Sequence, residues 1–233
     1  MLKRIIGKIL FHPVASKFYI RPILKLHNFM YRLATKVSAI ISADNLHPKH
    51  GILKYKEWFA GHVTTNDVVL DVGSNSGEFP VFLSNKAQYV YGIEIVVRLH
   101  KSALKRGSMP NVEFILGDAT SYDYSNTKPV SIVILSNVLE HIEHRVEFLK
   151  KITENLSWAN EKDRKLLIRV PMINRDWITI YKKNMGVEWR LDLTHYTEYT
   201  MNSFLEEMCK AGILVLESEV KFGEIYAVCM VKN

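Results

Sequence analysis

Val68-Val69-Leu70-Asp71-Val72-Gly73-Ser74-Asn75-Ser76-Gly77 is the stretch on which the fold turns. Three apolar residues ahead of an acid and a glycine-bearing turn read as a buried parallel strand entering a tight loop. Glu78 to Leu83 then leaves the loop as a helix. Gly73 and Gly77 stand where a side chain would hold a ligand off the backbone. The expectation is that backbone N–H groups and a helix N-terminus approach a ligand here.

Working outward, Tyr89-Val90-Tyr91-Gly92-Ile93-Glu94 is a second short apolar strand ending in a carboxylate. It lies about twenty residues on, where an acid at a strand end can accept from both ribose hydroxyls. Val112-Glu113-Phe114-Ile115-Leu116-Gly117-Asp118-Ala119 is a third, again with an acid at its end, and Ser131-Ile132-Val133-Ile134-Leu135-Ser136-Asn137 a fourth. Successive strands closed by Asp or Glu describe a pocket for a nucleoside with a cationic neighbour. A dinucleotide site would instead need an uncrowded helix N-terminus for its pyrophosphate.

On Asp71-Val72-Gly73-Ser74-Asn75-Ser76-Gly77, Gly92-Ile93-Glu94, Gly117-Asp118-Ala119 and Asn137-Val138-Leu139-Glu140-His141-Ile142, the chain resembles the class I S-adenosylmethionine-dependent methyltransferases over roughly residues 60–230. Asn75 stands where many members have glycine, and Asn tolerates left-handed backbone better than most residues. The resemblance implies a Rossmann-like α/β fold: a seven-stranded, mostly parallel sheet, helices on both faces, and a C-terminal antiparallel hairpin. It also implies the cofactor S-adenosyl-L-methionine, with Glu94 and the adjoining Ile95 at the ribose and Asp118 with the Ala119 N–H at the adenine. Asp71, Gly73, Ser74, Asn75 and Gly77 are expected at the methionine end, and Asn137 at the fourth strand end.

The net charge of +7 is unevenly distributed: eight bases and no acid precede Asp44, which leaves the remainder near neutral. Residues 1–45 therefore read as a basic amphipathic helical arm and 46–233 as the methyltransferase domain. Within the arm, Leu2, Ile5, Ile6, Ile9 and Leu10 recur at helical spacing up to Pro13, which is expected to end that helix. A second stripe runs from Leu26 through Phe29, Met30, Leu33 and Val37 to Ile41. Neither stripe approaches the roughly eighteen unbroken apolar residues of a membrane span, and Lys8 interrupts what would be an export-signal core. The expected location is cytoplasmic. The arm is suited either to an anionic membrane surface or to packing on the domain or on a second copy. Bases dispersed among aliphatic residues make nucleic acid the poorer partner.

A turn-rich linker from Asn45 to Gly51 carries His47 and His50; a helix over 52–62 should turn Leu53, Trp58 and Phe59 inward. Further on, strands are expected over 68–72, 89–94, 112–116, 131–136 and 165–170, and helices over 77–85, 96–106 and 143–156. This alternation gives a parallel sheet with its ligand at the strands' carboxyl ends. Pro171 to Tyr199 breaks the pattern with mixed aromatic and charged residues, among them Arg175, Trp177, Tyr181, Trp189 and Asp192. It reads as a substrate-covering insertion (171–199) or a flap anchored by its tryptophans. Thr200 should cap a helix ended by Gly212, and a hairpin turning at Gly223 closes the sheet. Cys209 and Cys229, the two cysteines, offer neither a disulfide framework nor metal-ligand spacing.

Methyl transfer from a sulfonium needs an aligned acceptor and removal of its proton. Glu140, His141 and the distant His195 are the candidate catalytic residues. His195 to Thr200 with Glu140-His141 is similar to a pairing in small-RNA 3′-terminal ribose methyltransferases, where the resemblance implies a divalent metal. Asn137 replaces that family's first acid. Metal binding, metal-free base catalysis by His141 or His195, and a structural cluster all stay open. The expected reaction is O-methylation of a sugar hydroxyl in a glycan or lipid-linked saccharide. RNA ribose 2′-O-methylation and a non-catalytic cofactor-binding scaffold are the alternatives.

Overall fold

The computed structural model describes residues 11–42, 48–106 and 109–232. Two compact units divide them: one holds the described residues up to Leu53 with Asp176–Leu191, the other Lys54–Arg175 with the residues from Asp192 onward.

The larger unit is built on a seven-stranded sheet. Its strands are β1 (Val68–Val72), β2 (Tyr89–Glu94), β3 (Val112–Leu116), β4 (Ile132–Ser136), β5 (Lys165–Pro171), β6 (Ile213–Lys221) and β7 (Glu224–Val231), in the order β3-β2-β1-β4-β5-β7-β6. β1 to β5 pair in parallel, and β7 runs antiparallel to both β5 and β6. This is the doubly wound sheet with an antiparallel closing hairpin expected above. Every residue of β1 is buried, as a continuous apolar run covered on both faces requires.

Side chains alternate across the sheet and so feed two cores. On one face Leu70, Val72, Ile93, Val133, Leu135 and Ile168 pack with Phe148, Leu149 and Ile152 of one helix and Phe204 and Met208 of another. On the other, Val69, Val90, Ile132, Ile134 and Leu167 meet Phe59, Phe79 and Leu83. Burying one such side chain stabilises by roughly 1.5–3 kcal/mol, and a helix cap by about 1 kcal/mol. The two apolar faces, not the caps, therefore dominate stability.

In chain order the helices are α1 (Pro13–Ile41), α2 (Pro48–Leu53), α3 (Tyr55–Gly61), α4 (Glu78–Ser84), α5 (Val97–Leu104), α6 (Arg145–Asn155), α7 (Trp177–Asn184) and α8 (Met201–Lys210). Thr200 caps α8 by accepting from Ser203 N while the Ser203 hydroxyl answers the Thr200 N–H. Phe222 and Gly223, both at positive φ, form the tight turn between β6 and β7.

One expectation is corrected, and two segments are defined more closely. Pro13 begins a helix, in a first-turn position where its missing N–H is no loss; the helix it was expected to end, on the stripe from Leu2 to Leu10, lies outside the described residues. The apolar stripe from Leu26 is the second half of α1. The helix expected over 52–62 is two helices, broken where Lys54 adopts a left-handed φ of 47°. Finally, the segment after β5 contains a helix of its own. Asp176 accepts from Ile178 N at 2.7 Å and caps α7.

In the smaller unit, residues 176–191 pack on α1. Asn28 donates to the Glu188 carbonyl at 2.7 Å, and Lys182 Nζ to His27 Nδ1 at 3.0 Å. Arg190 grips the Glu188 carboxylate with two nitrogens, each at 2.9 Å.

Candidate functional site

Parallel pairing sets the carboxyl ends of β1, β2, β3 and β4 along one edge of the sheet, and the expected cofactor residues lie at or just beyond those ends. The loop after β1 is the tightest part. Gly73, Asn75 and Gly77 have φ of 73°, 54° and 79°, three left-handed residues within five. At Gly73 a Cβ would lie 2.9 Å from Val138 Cγ2, and at Gly77 one would lie 2.7 Å from Phe114 Cζ.

The loop N–H groups do not form the ligand cradle expected from the sequence. Gly73 N and Ser74 N both donate to the Ile93 carbonyl, at 2.9 and 3.0 Å. Asn75 N donates to Glu94 Oε2, Ser76 N to Asn75 Oδ1 and Gly77 N to the Ser74 carbonyl. With its donors engaged internally, the loop offers carbonyls and neighbouring carboxylates. That chemistry favours a cation over a phosphate.

Glu94 is buried, and its second oxygen accepts from Val96 N at 2.8 Å. Each carboxylate oxygen has a second lone pair, so this clamped group can still accept from two hydroxyls. Asp71 is also buried. Burial, and then the nearby charge of Glu94, push its pKa well above the ordinary carboxylate range. Asp118 Oδ1 accepts from both the N–H and the hydroxyl of Thr120, at 2.8 and 2.7 Å, so half of this carboxylate caps its own turn. Ala119 follows, half-buried, and Ile95 beyond Glu94 is exposed. Ser74 is buried against Gly92, where a Cβ would sit 2.9 Å from Ser74 Cβ.

After β4, Asn137 takes a φ of 56° and the chain turns into a short 3-10 helix, Leu139–His141. This reversal buries Glu140 and places His141 at the sheet edge. The distant segment is docked there by backbone: Tyr196 N donates to the Glu140 carbonyl at 2.8 Å, and Tyr199 N to the Pro171 carbonyl at 2.9 Å. Thus His195 meets His141 edge to face, with ring centroids 4.7 Å apart.

Both imidazoles are oriented from behind. The Thr194 hydroxyl donates to Asp192 Oδ1 at 2.8 Å and so accepts from His141 Nδ1 at 2.9 Å. His195 Nδ1 donates to Glu198 Oε1 at 3.0 Å, and Arg175 Nη1 is paired with the other Glu198 oxygen. In the His141 ring the proton on Nδ1 leaves the lone pair on Nε2. Burial, and then the neighbouring His195, lower the His141 pKa, which keeps this imidazole neutral near pH 7. Burial raises Glu140 to about 8. Its Oε2, like the Oδ1 of Asn137, is buried with no hydrogen-bond partner among the described residues. Glu140, His141 and His195 each offer one ligand atom, and these lie within 4.8 Å of one another. Two imidazoles and an orphan carboxylate oxygen fit a divalent cation.

Sequence reasoning missed Arg169. It is buried near the end of β5, its guanidinium 4.3 Å from the Tyr55 ring centroid and 3.8 Å from Glu224. The signal was present as one cation inside the apolar run Leu166-Leu167-Ile168-Arg169-Val170. His50 lies in α2 of the smaller unit, and His47 lies outside the described residues.

Residues 70–157 match the family model described as a methyltransferase domain. Among curated proteins, an uncharacterized protein of Methanocaldococcus jannaschii, MJ1452, is 33% identical over 95 residues, covering 40% of this chain and 37% of that one. N-methyltransferase 4 of Papaver somniferum is 26% identical over 115 residues, covering 46% and 30%. The chain thus matches about a third of the length of these relatives. Among solved structures, a chain from the complex with the Trm112 methyltransferase activator of Haloferax volcanii superposes with a TM-score of 0.62 at 13% identity, covering 85% of this chain and 98% of that one. The mitomycin 7-O-methyltransferase MmcR gives 0.57 at 15%, covering 77% and 53%. At such identities the likeness is one of fold.

Proposed function

We propose, from the premise that residues 70–157 match a methyltransferase domain on a fold shared with methyltransferases of known structure, that this chain transfers a methyl group from S-adenosyl-L-methionine to a hydroxyl oxygen of a sugar, in a glycan or a lipid-linked saccharide. The observation that carries the O-methylation reading is the pair of imidazoles with Nδ1 protons tied back to Asp192, through Thr194, and to Glu198.

In this reading Glu94 accepts from the ribose hydroxyls, Asp118 from the adenine amino group, and Asp71 faces the cationic methionine end. Carboxylates and carbonyls around a sulfonium leave the methyl group as the electrophile. His141 or His195 takes the acceptor's proton on Nε2 as the oxygen attacks that methyl. The sulfonium becomes a neutral thioether, and the proton later leaves to solvent. Buried Glu140, protonated at neutral pH, donates a hydrogen bond to the acceptor.

A second reading is favoured by the partnerless Glu140 oxygen beside the two imidazoles. Glu140, His141 and His195 would hold a divalent cation, which supplies Lewis acidity and lowers the pKa of a bound hydroxyl. RNA ribose methylation belongs to this second reading, and a cofactor-binding scaffold is the non-enzymatic outcome.

Tritiated methyl transfer into fractionated glycans, lipids and RNA tests the proposal. Label in the saccharide fractions that is lost in His141→Ala and His195→Ala is expected. Label only in RNA would overturn the substrate, and tight S-adenosylhomocysteine binding with no label anywhere would leave a scaffold. Full turnover in excess chelator would remove the cation.

A further inference from the structure

We infer that α1 is a membrane-docking element, lying flat on a bilayer surface rich in anionic lipid. The inference stands apart from the catalytic reading and uses the smaller unit alone.

One face of α1 is covered within this unit. Leu24 is buried, Asn28 bonds to the Glu188 carbonyl, and His27 to Lys182. The opposite face carries Phe18, Pro22, Leu26, Phe29, Leu33, Val37 and Ile40, at the three- and four-residue intervals of a single helical stripe, and all are exposed. Phe18 is 81% exposed and Ile40 72%. A continuous apolar stripe of this length on a monomer surface marks a contact surface.

Charge identifies what it contacts. Lys17, Arg21, Lys25, Arg32 and Lys36 form a second line along one flank of the stripe, and the helix has no acidic residue at all. A second copy of α1 would bring like charges together with nothing to neutralise them, which opposes self-pairing. Nucleic acid would match the bases and leave the phenylalanines in water. An anionic bilayer matches both lines: apolar side chains enter the acyl boundary while lysine and arginine stems reach the lipid phosphates. Trp177 on α7 of the same unit is 74% exposed, an interfacial aromatic of the kind found at headgroup depth. No helix among the described residues is long and apolar enough to cross a membrane, so the fit is to the surface.

Flotation of the full chain with vesicles of phosphatidylcholine alone, or with about 30% phosphatidylserine, tests this. The protein is expected to float with the anionic vesicles, roughly tenfold or more above the neutral ones, and less so as salt is raised. The double variant Phe18→Ser/Phe29→Ser and the triple variant Lys17→Glu/Lys25→Glu/Lys36→Glu should each abolish flotation. Both should keep S-adenosylhomocysteine binding and far-ultraviolet dichroism, which separates loss of docking from loss of folding or of the catalytic reading. Equal recovery on neutral and anionic vesicles, or none on either, would overturn the inference. So would a lipid-free dimer in sedimentation that the phenylalanine variant dissolves, which would make a second copy the occupant.

Discussion

The backbone N–H of Asn75 donates to Glu94 Oε2 at 2.8 Å, tying the left-handed turn after β1 to the acid that ends β2. Through this bond the carboxylate proposed to hold the ribose also shapes the loop. Glu94→Ala removes a charge-assisted acceptor from Asn75 and from Val96 together. S-adenosylhomocysteine affinity is expected to fall about 10- to 100-fold, the equivalent of about 1.5–3 kcal/mol, as read by calorimetry. Unchanged affinity would remove Glu94 from the cofactor site.

Asp118 distinguishes a turn cap from a ligand contact. Asp118→Asn keeps an oxygen for the Thr120 N–H and hydroxyl but puts an amide donor where an adenine amino group needs an acceptor. The melting temperature should hold while cofactor affinity drops about tenfold or more. A variant that melts early and binds normally would make the carboxylate a cap alone.

Glycine substitutions should separate steric from conformational demand. In Gly77→Ala the new methyl meets Phe114 Cζ at 2.7 Å and Ala103 Cβ at 2.8 Å, at a φ of 79°. Strain and overpacking together should cost about 2–4 kcal/mol in urea denaturation. Gly186→Ala, at a φ of 64° with nothing within 4 Å, carries only the backbone penalty of about 1–2 kcal/mol. Equal losses would show that the packing around Gly77 relaxes freely.

Asp71 should make cofactor binding pH-dependent. Burial first, and Glu94 second, hold its pKa well above the ordinary value, so ionisation is disfavoured in the folded protein. The sign for stability follows. This group's contribution is greatest below its unfolded pKa and is lost as pH rises through the folded one. A cationic ligand beside Asp71 reverses the preference by favouring the carboxylate, so binding releases a proton and affinity climbs with pH through the raised pKa. Asp71→Asn should flatten that climb. A wild-type affinity independent of pH would place the cation elsewhere.

The two cysteines should differ sharply toward a thiol reagent. Burial pushes Cys229 up to about 12, whereas Cys209 is exposed. One thiol is expected to react rapidly in the native protein, and the second only on unfolding. Rapid reaction of both would mean that β7 opens readily.

The sequence by itself determined the sheet and its acidic edge. Short, mostly apolar runs closed by Asp71, Glu94 and Asp118 admit few readings, because the central strands of a sheet covered on both faces tolerate little else. Local chemistry likewise revealed the Thr200 cap and the turn at Gly223. Only the tertiary structure decided which groups meet across long separations. His195 lies 54 residues beyond His141 in the chain and reaches it through backbone bonds from Tyr196 to Glu140 and from Tyr199 to Pro171, which no side-chain pattern encodes. The same is true of the loop donors. A glycine-rich turn shows that the backbone can come close to a ligand, but whether its N–H groups face outward depends on β2 lying alongside. Here the Ile93 carbonyl and the Glu94 carboxylate take the N–H groups of Gly73, Ser74 and Asn75, so that pairing, and not the glycines, decides which groups the loop can still offer a ligand.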